Sequence, residues 1–188
     1  VFVDAFSNVV NVKNLPQNKW PREAKDYLDP ALKDKIVLTW PNDDDAVLFW
    51  FKQAVDQYGW DYVAKIKAQN PILVRGTQAP ADDVESGKAL ATFSTDGALA
   101  VDDKANSRFM LPEHDKFVSW AQRAAIFKKA KHPETAKLYL NWLLDKNTQS
   151  NVWYMWSVRT DVAPVKGYKH VWEYKNTDPV AFEKFMSD

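Results

Sequence analysis

Between Asp34 and Val74 the chain switches repeatedly between two incompatible hydrophobic periods, and this alternation restricts the fold more than any other feature. "DKIVLTW", Asp34 to Trp40, is a short run with little polar interruption, as in a strand buried on both faces. Ala46 to Tyr58 is apolar nearly all round at its start and meets Gly59 in the position preferred just past a helix. Tyr62, Val63 and Ile66 then fall at helical spacing until Pro71 stops them, and Ile72 to Val74 is a minimal strand. Val1 to Val12 reads as one or two strands ended by Pro16, and Lys88 to Ser94 alternates toward another. Strands alternating with helices predict an α/β fold, a central mixed sheet flanked by helices.

The segments between fit that plan. Pro21 is placed to start a helix through "WPREAKDYLD", with Asp29-Pro30 as the stop. Pro80 opens a short helix whose first turn holds Asp82 and Asp83, where the helix dipole favours acids. Asp102 to Arg108 is polar and aperiodic and reads as an exposed loop, whereas Phe117 to Phe127 reads as a strand ending in "AAIF". Pro133 begins a helix with Ala136, Tyr139, Leu140, Leu143 and Leu144 on one face, and a second helix is expected from about Thr148 to Trp156. Asp178-Pro179 starts a last helix that aligns Phe182, Phe185 and Met186.

Composition excludes several classes of chemistry. With no Cys in 188 residues, disulfides, thiol catalysis and thiolate metal sites are excluded. The 25 basic and 25 acidic residues cancel, which removes any global electrostatic case for nucleic acid or an anionic membrane surface. No apolar run has the length of a membrane span, so a soluble chain without membrane insertion is expected. The start at Val1 lacks the features of a signal peptide and reads as though something upstream had been removed. His114, His132 and His170 are scattered, no metal or nucleophile motif is present, and no cofactor is expected.

Five blocks occur in order: "KWPREAKDYLDPALKDKIVLTWP", "YGWDYVAKIKAQNP", "VESGKALATFSTDGAL", "AAIFKKAKHPETAKLYLNWLLDKNTQ" and "VRTDVAP". Together they resemble the second half of an extracellular solute-binding protein of ABC transporters, of the iron(III), thiamine and polyamine type. The resemblance implies a type II periplasmic-binding-protein-like lobe, with residues 1–16 as a crossing strand region and residues 17–112 as the ligand-binding lobe. Residues 113–188 would supply the return strand and carboxyl-terminal helices that pack on it. It further implies a periplasmic or secreted protein, a small polar or cationic solute, and an ABC permease as partner. A first lobe would lie outside this chain, its place taken by a retained fragment or by self-association. Iron-binding members use adjacent tyrosines, and none of the seven tyrosines here are neighbours; Tyr154 alone lies in the corresponding region, beside Met155.

The candidate site centres on "NDDD", Asn42, Asp43, Asp44 and Asp45, at a strand-to-helix turn of the kind where open α/β sheets bind ligands. One Asp suffices to cap the helix beginning near Ala46, and three adjacent acids repel unless a solvent or cationic partner neutralises them. Trp40 and Trp50 flank the turn; either is a platform for an amine or a sugar, or a core aromatic. Thr95 and Asp96 follow another strand and are expected at the same edge, with Tyr154 and Arg159 added by the resemblance. Two other readings are open: a carbohydrate hydrolase using paired carboxylates such as Asp44 and Asp96, and a secreted interaction module that has lost its ligand.

Overall fold

A single ten-residue strand, β1 (Phe2–Asn11), organises the computed structural model, which describes residues 1–187. Every residue from Val3 to Asn11 is buried, because both faces of β1 are covered and both its edges are paired. β4 (Ala91–Thr95) runs antiparallel to it with Ser7 opposite Thr95 and Val10 opposite Ala91. β5 (Ser107–Met110) pairs with Asn8 to Asn11, and β6 (Val118–Gln122) with Phe2 to Phe6, both antiparallel. β2 (Val37–Thr39) and β3 (Ile72–Val74) form a parallel pair. A parallel bridge between Ile36 and Ala91 joins that pair to β4, reinforced by Leu90 N–H donating to the Lys35 carbonyl at 2.7 Å. The sheet is therefore mixed, as the alternating periods require.

Helices cover both faces. On one, α1 (Asp45–Tyr58) and α2 (Trp60–Ala68) bury Val47, Phe49, Trp50, Tyr62 and Ile66 against Phe6, Val10 and Phe93. Trp50 stacks on Phe93 with centroids 3.8 Å apart, so it is a core aromatic and not a ligand platform. On the other, α3 (Gln78–Glu85) and the segment around Trp156 pack on Val9, Val37, Phe109 and Phe117. α4 (Pro133–Leu144) and α5 (Lys146–Asn151) follow β6, and α6 (Pro179–Ser187) returns to lie on β6 and α1.

Several local expectations shift for physical reasons. "WPREAKDYLD" forms only 3-10 turns, Ala24–Leu28 with Pro30–Leu32 behind them, because the acidic side chains bond back onto nearby backbone. Ser107 and Arg108, expected in a loop, begin β5, since their backbone completes the second edge of β1. The strand expected to end in "AAIF" stops at Gln122, where its partner β1 begins. The second carboxyl-terminal helix runs from Lys146 to Asn151, earlier and shorter than its sequence pattern suggests, capped by Asp145 accepting from Asn147 and Thr148 N–H.

Buried polar groups on β1 are tied across the fold. Ser7 donates to the Met110 carbonyl at 2.8 Å, Asn8 to the Arg22 carbonyl at 2.7 Å, and Asn11 to the Val84 carbonyl at 2.7 Å. Tyr27, fully buried, donates its hydroxyl to the Asn8 side chain at 3.0 Å and the Thr92 carbonyl at 2.7 Å. Removing that hydroxyl takes away the one proton that the two acceptors share in a dry core. Tyr27→Phe is expected to cost about 1–3 kcal/mol, read as a lower urea midpoint with an unchanged m-value; an unaltered midpoint would show that the bond contributes nothing net.

Candidate functional site

The carboxyl ends of β2 and β4 and the first half of β1 meet at one edge of the sheet. Here the sequence places its acids, and the fold gives each a different setting. Asp44 is the N-cap of α1, its Oδ1 accepting from Ala46 N–H at 2.9 Å and Val47 N–H at 3.1 Å. Asp43 accepts from Gly76 N–H at 2.7 Å and Arg75 Nη1 at 3.1 Å, which pins the turn after β3. Asn42 and Asp45 are exposed, Asp45 in the first helical turn where the dipole favours it. The repulsion expected within "NDDD" is thus relieved inside the fold, without a ligand. Trp40 is half exposed at the end of β2.

The same edge is stitched together from below. Thr95 is buried and donates to the Thr77 carbonyl at 2.7 Å, and Thr39 donates to the Gly76 carbonyl at 2.9 Å. Thr95 therefore fixes the rim and does not present its hydroxyl to solvent. Gly97, directly after Asp96, is required by close approach: a Cβ there would lie 2.7 Å from the Phe109 Cβ. Arg159 lies elsewhere, chelating Asp161 through Nε at 2.8 Å and Nη2 at 3.0 Å and donating to the Leu144 carbonyl at 3.0 Å, where it caps the end of α4. The Arg159 guanidinium holds the Asp161 carboxyl down at about 2.

Asp96 and Tyr154 come together: the Tyr154 hydroxyl donates to Asp96 Oδ2 at 2.7 Å. Beside them is a residue that sequence reasoning missed, Asp4. It is only 8% exposed, on the strand that organises the fold. Unlike Ser7, Asn8 and Asn11, it reaches no partner across the fold among the described residues; its Oδ1 accepts the N–H of its own neighbour, Ala5, at 2.9 Å. Burial pushes its carboxyl up to about 7, the Asp96 carboxylate adds to the rise, and the Ala5 N–H offsets part of it. Burial and the bond to Asp96 likewise push the Tyr154 phenol up. The only signal in the sequence was a lone acid in "VFVDAF", which the apolar run around it concealed.

Asp4 lies opposite Trp120 in the antiparallel register, so the two side chains share a face of the sheet. On that face Trp120 helps line a cleft of about 800 Å³ between the start of α1 (Asp44, Asp45, Ala46), the end of β6 and α6. Asp4, Asp96 and Tyr154 are not among the residues that line that cleft; they form an open rim and not an enclosed pocket. Among the described residues, no group of three or more His, Cys, Asp or Glu side chains forms a metal-holding set.

The fold is similar to that of periplasmic binding proteins of known structure. The chain superimposes on a two-component-system protein mediating signal transduction with a TM-score of 0.72 at 19% identity, over 99% of its own length and 67% of the other's. It matches the periplasmic binding protein AfuA from Actinobacillus pleuropneumoniae (0.68, 18% identity, 98% and 62%) and iron-bound HitA from Pseudomonas aeruginosa (0.64, 16% identity, 100% and 66%). At these identities the likeness is one of fold. The model of the bacterial extracellular solute-binding protein family matches residues 14–150, and the chain belongs to that family. No curated protein matches it in sequence. The chain spans 47% to 67% of the length of these and similarly matched structures.

The raised Asp4 carboxyl carries a stability signature. An acid whose folded pKa exceeds its unfolded value holds its proton more tightly when folded, so its contribution is fully present below about 3.8 and is lost as pH rises to about 7. Asp4→Asn removes that dependence. The stability of Asp4→Asn relative to the parent, from denaturant melts across pH 4 to 8, is expected to grow through this window and then level off. A difference independent of pH would mean that Asp4 is ionised in the fold without penalty.

Proposed function

We propose that this chain is the ligand-binding lobe of an extracellular or periplasmic solute-binding protein that captures a small cationic solute for an ABC-type permease. The observation that carries the reading is Asp4, a buried carboxyl with no partner across the fold among the described residues, beside the Asp96–Tyr154 pair at the strand ends. Bringing a cation to the two carboxylates would offset their mutual repulsion and the desolvation of Asp4 together. Trp40, half exposed at the end of β2, offers an aromatic face for the same charge, an interaction of about 0.5–2 kcal/mol depending on how much water is excluded. Asn42 and Asp45 complete the polar rim.

A rim becomes a trap only when a second surface closes over it. In this reading the opposing wall is an amino-terminal lobe, and closure excludes water from the acids. Self-association is the alternative source of that wall. The hydrolytic pair Asp44–Asp96 loses support because both oxygen-to-backbone contacts of Asp44 cap α1, and an Asp fixed in that way is poorly placed to attack or to activate water. The neighbours named above carry iron in one case and fructose-6-phosphate in another, ligands of opposite charge, so ligand class is argued here from this chain's own side chains.

Titration calorimetry with spermidine and thiamine as cationic probes, and glucose and maltose as neutral ones, tests the reading. Binding of a cationic probe is expected, weakened about tenfold or more by Asp96→Asn, in line with the loss of a charged partner. Binding confined to the neutral sugars, or unaffected by Asp96→Asn, would contradict it.

A further inference from the structure

Away from the acidic rim, a groove of about 580 Å³ runs between α1 and α6, and its charge has the opposite sign. Asp4, Asp96 and Tyr154 take no part in its lining. Phe49 of α1 and Phe185 of α6 join the two helices along it, with ring centroids 5.1 Å apart. Around this apolar seam stand four exposed lysines, each from a different stretch of chain: Lys52 from α1, Lys116 from the segment before β6, Lys175 from the loop before α6, and Lys184 from α6. Backbone bonds bring two of them together. Phe117 N–H donates to the Asn176 carbonyl at 3.1 Å, so Lys116 and Lys175, the residues preceding each, flank one hydrogen bond. Asn176 donates its side chain to the Asp115 carbonyl at 2.9 Å, and Thr177 its hydroxyl to the Phe117 carbonyl at 2.9 Å. Asp115 is itself buried and accepts from Ala24 N–H at 2.6 Å and Gln57 Nε2 at 2.8 Å. The two lysines therefore leave a braced backbone and carry their ammonium groups into solvent.

The acids of the groove leave this charge in excess. Asp56 is bonded to Lys52 at 2.6 Å, and Asp178 uses Oδ1 to accept from Val180 and Ala181 N–H, at 3.0 Å each, in the first turn of α6. Among the described residues Lys116, Lys175 and Lys184 form no ion pair. Charges of one sign gathered in a concave site repel one another and focus their field on whatever enters it. An anion with several negative oxygens answers more than one of them at once, and the lysine ammonium, a point charge on a flexible stem, is a common binder of phosphate. We infer that the groove between α1 and α6 binds a small multivalent anion of the phosphate or pyrophosphate class, held by Lys116, Lys175 and Lys184 with Lys52 at the margin. The recess has the size of a small-molecule site, so the ligand is a soluble anion that enters it and not a membrane surface, which would meet only its outer edge. The groove is separate from the acidic rim, and its anion binding holds whether or not the rim captures a cation.

An NMR titration of the isotope-labelled protein with pyrophosphate at constant ionic strength tests this site. Saturable amide shifts are expected at Lys116, at Lys175 to Asp178 and at Lys184, with Asp4 and Asp96 unmoved. Lys116→Gln, Lys175→Gln and Lys184→Gln combined are expected to raise the Kd about tenfold or more. A second variant removes the same charge elsewhere, at the exposed Lys33, Lys65 and Lys67, each changed to Gln, and is expected to leave the Kd unchanged. Shifts that fail to saturate, or an equal loss in the two variants, would overturn the site and reduce the effect to net charge. Binding to phosphatidylglycerol vesicles without any response to pyrophosphate would also overturn it, in favour of a membrane surface.

Discussion

The structure depends on a strand buried on both faces. β1 pairs with β4 along one stretch, β5 and β6 along others, and receives the helical layers on either side. In such a position every polar side chain must find a partner or carry the cost of its burial, and Ser7, Asn8 and Asn11 each find one by reaching across to a backbone carbonyl. Those bonds fix the register of neighbouring segments against β1. Among the described residues Asp4 has no equivalent contact, and the same rule that explains its neighbours makes it the exception that carries the cost of its burial.

The rim around Asp4 is braced by side-chain hydrogen bonds. Thr39, Asp43 and Thr95 all converge on the turn at Gly76 and Thr77, so the ends of β2, β3 and β4 are held to one another by side-chain bonds in addition to the sheet. Phe109 closes against Gly97 and sets the position of the Asp96 turn. In the function proposed above, such a frame favours affinity because little reorganisation accompanies binding.

Much of the fold was legible in the sequence because its signals are local. Gly59 at the end of α1, Pro133 at the start of α4, the run at β2 and the helical spacing of Tyr62 and Ile66 each state a backbone preference or a buried face on their own. What sequence could not convey was pairing. β5 has no pattern of its own and exists because β1 offers an open edge; β6 ends where β1 begins. The site followed the same division. The acids of "NDDD" attracted attention by their density, yet Asp43 and Asp44 have backbone partners that become visible only when Gly76 and the first turn of α1 are in place. Asp4, a single acid in an apolar strand, gave almost no signal, since its significance lies in the absence of a cross-fold bond and in the proximity of Asp96, a residue far away along the chain.

The central claim is that Asp4 is a buried carboxyl awaiting a cation, and its own titration reports on this most directly. Carbon-detected NMR of the Asp4 side chain, followed across pH with and without a saturating cationic probe, measures the group itself. The account predicts a midpoint near 7 in the free chain and a marked fall when the cation is bound. A midpoint in the ordinary carboxylate range in the free chain, unmoved by the probe, would contradict it.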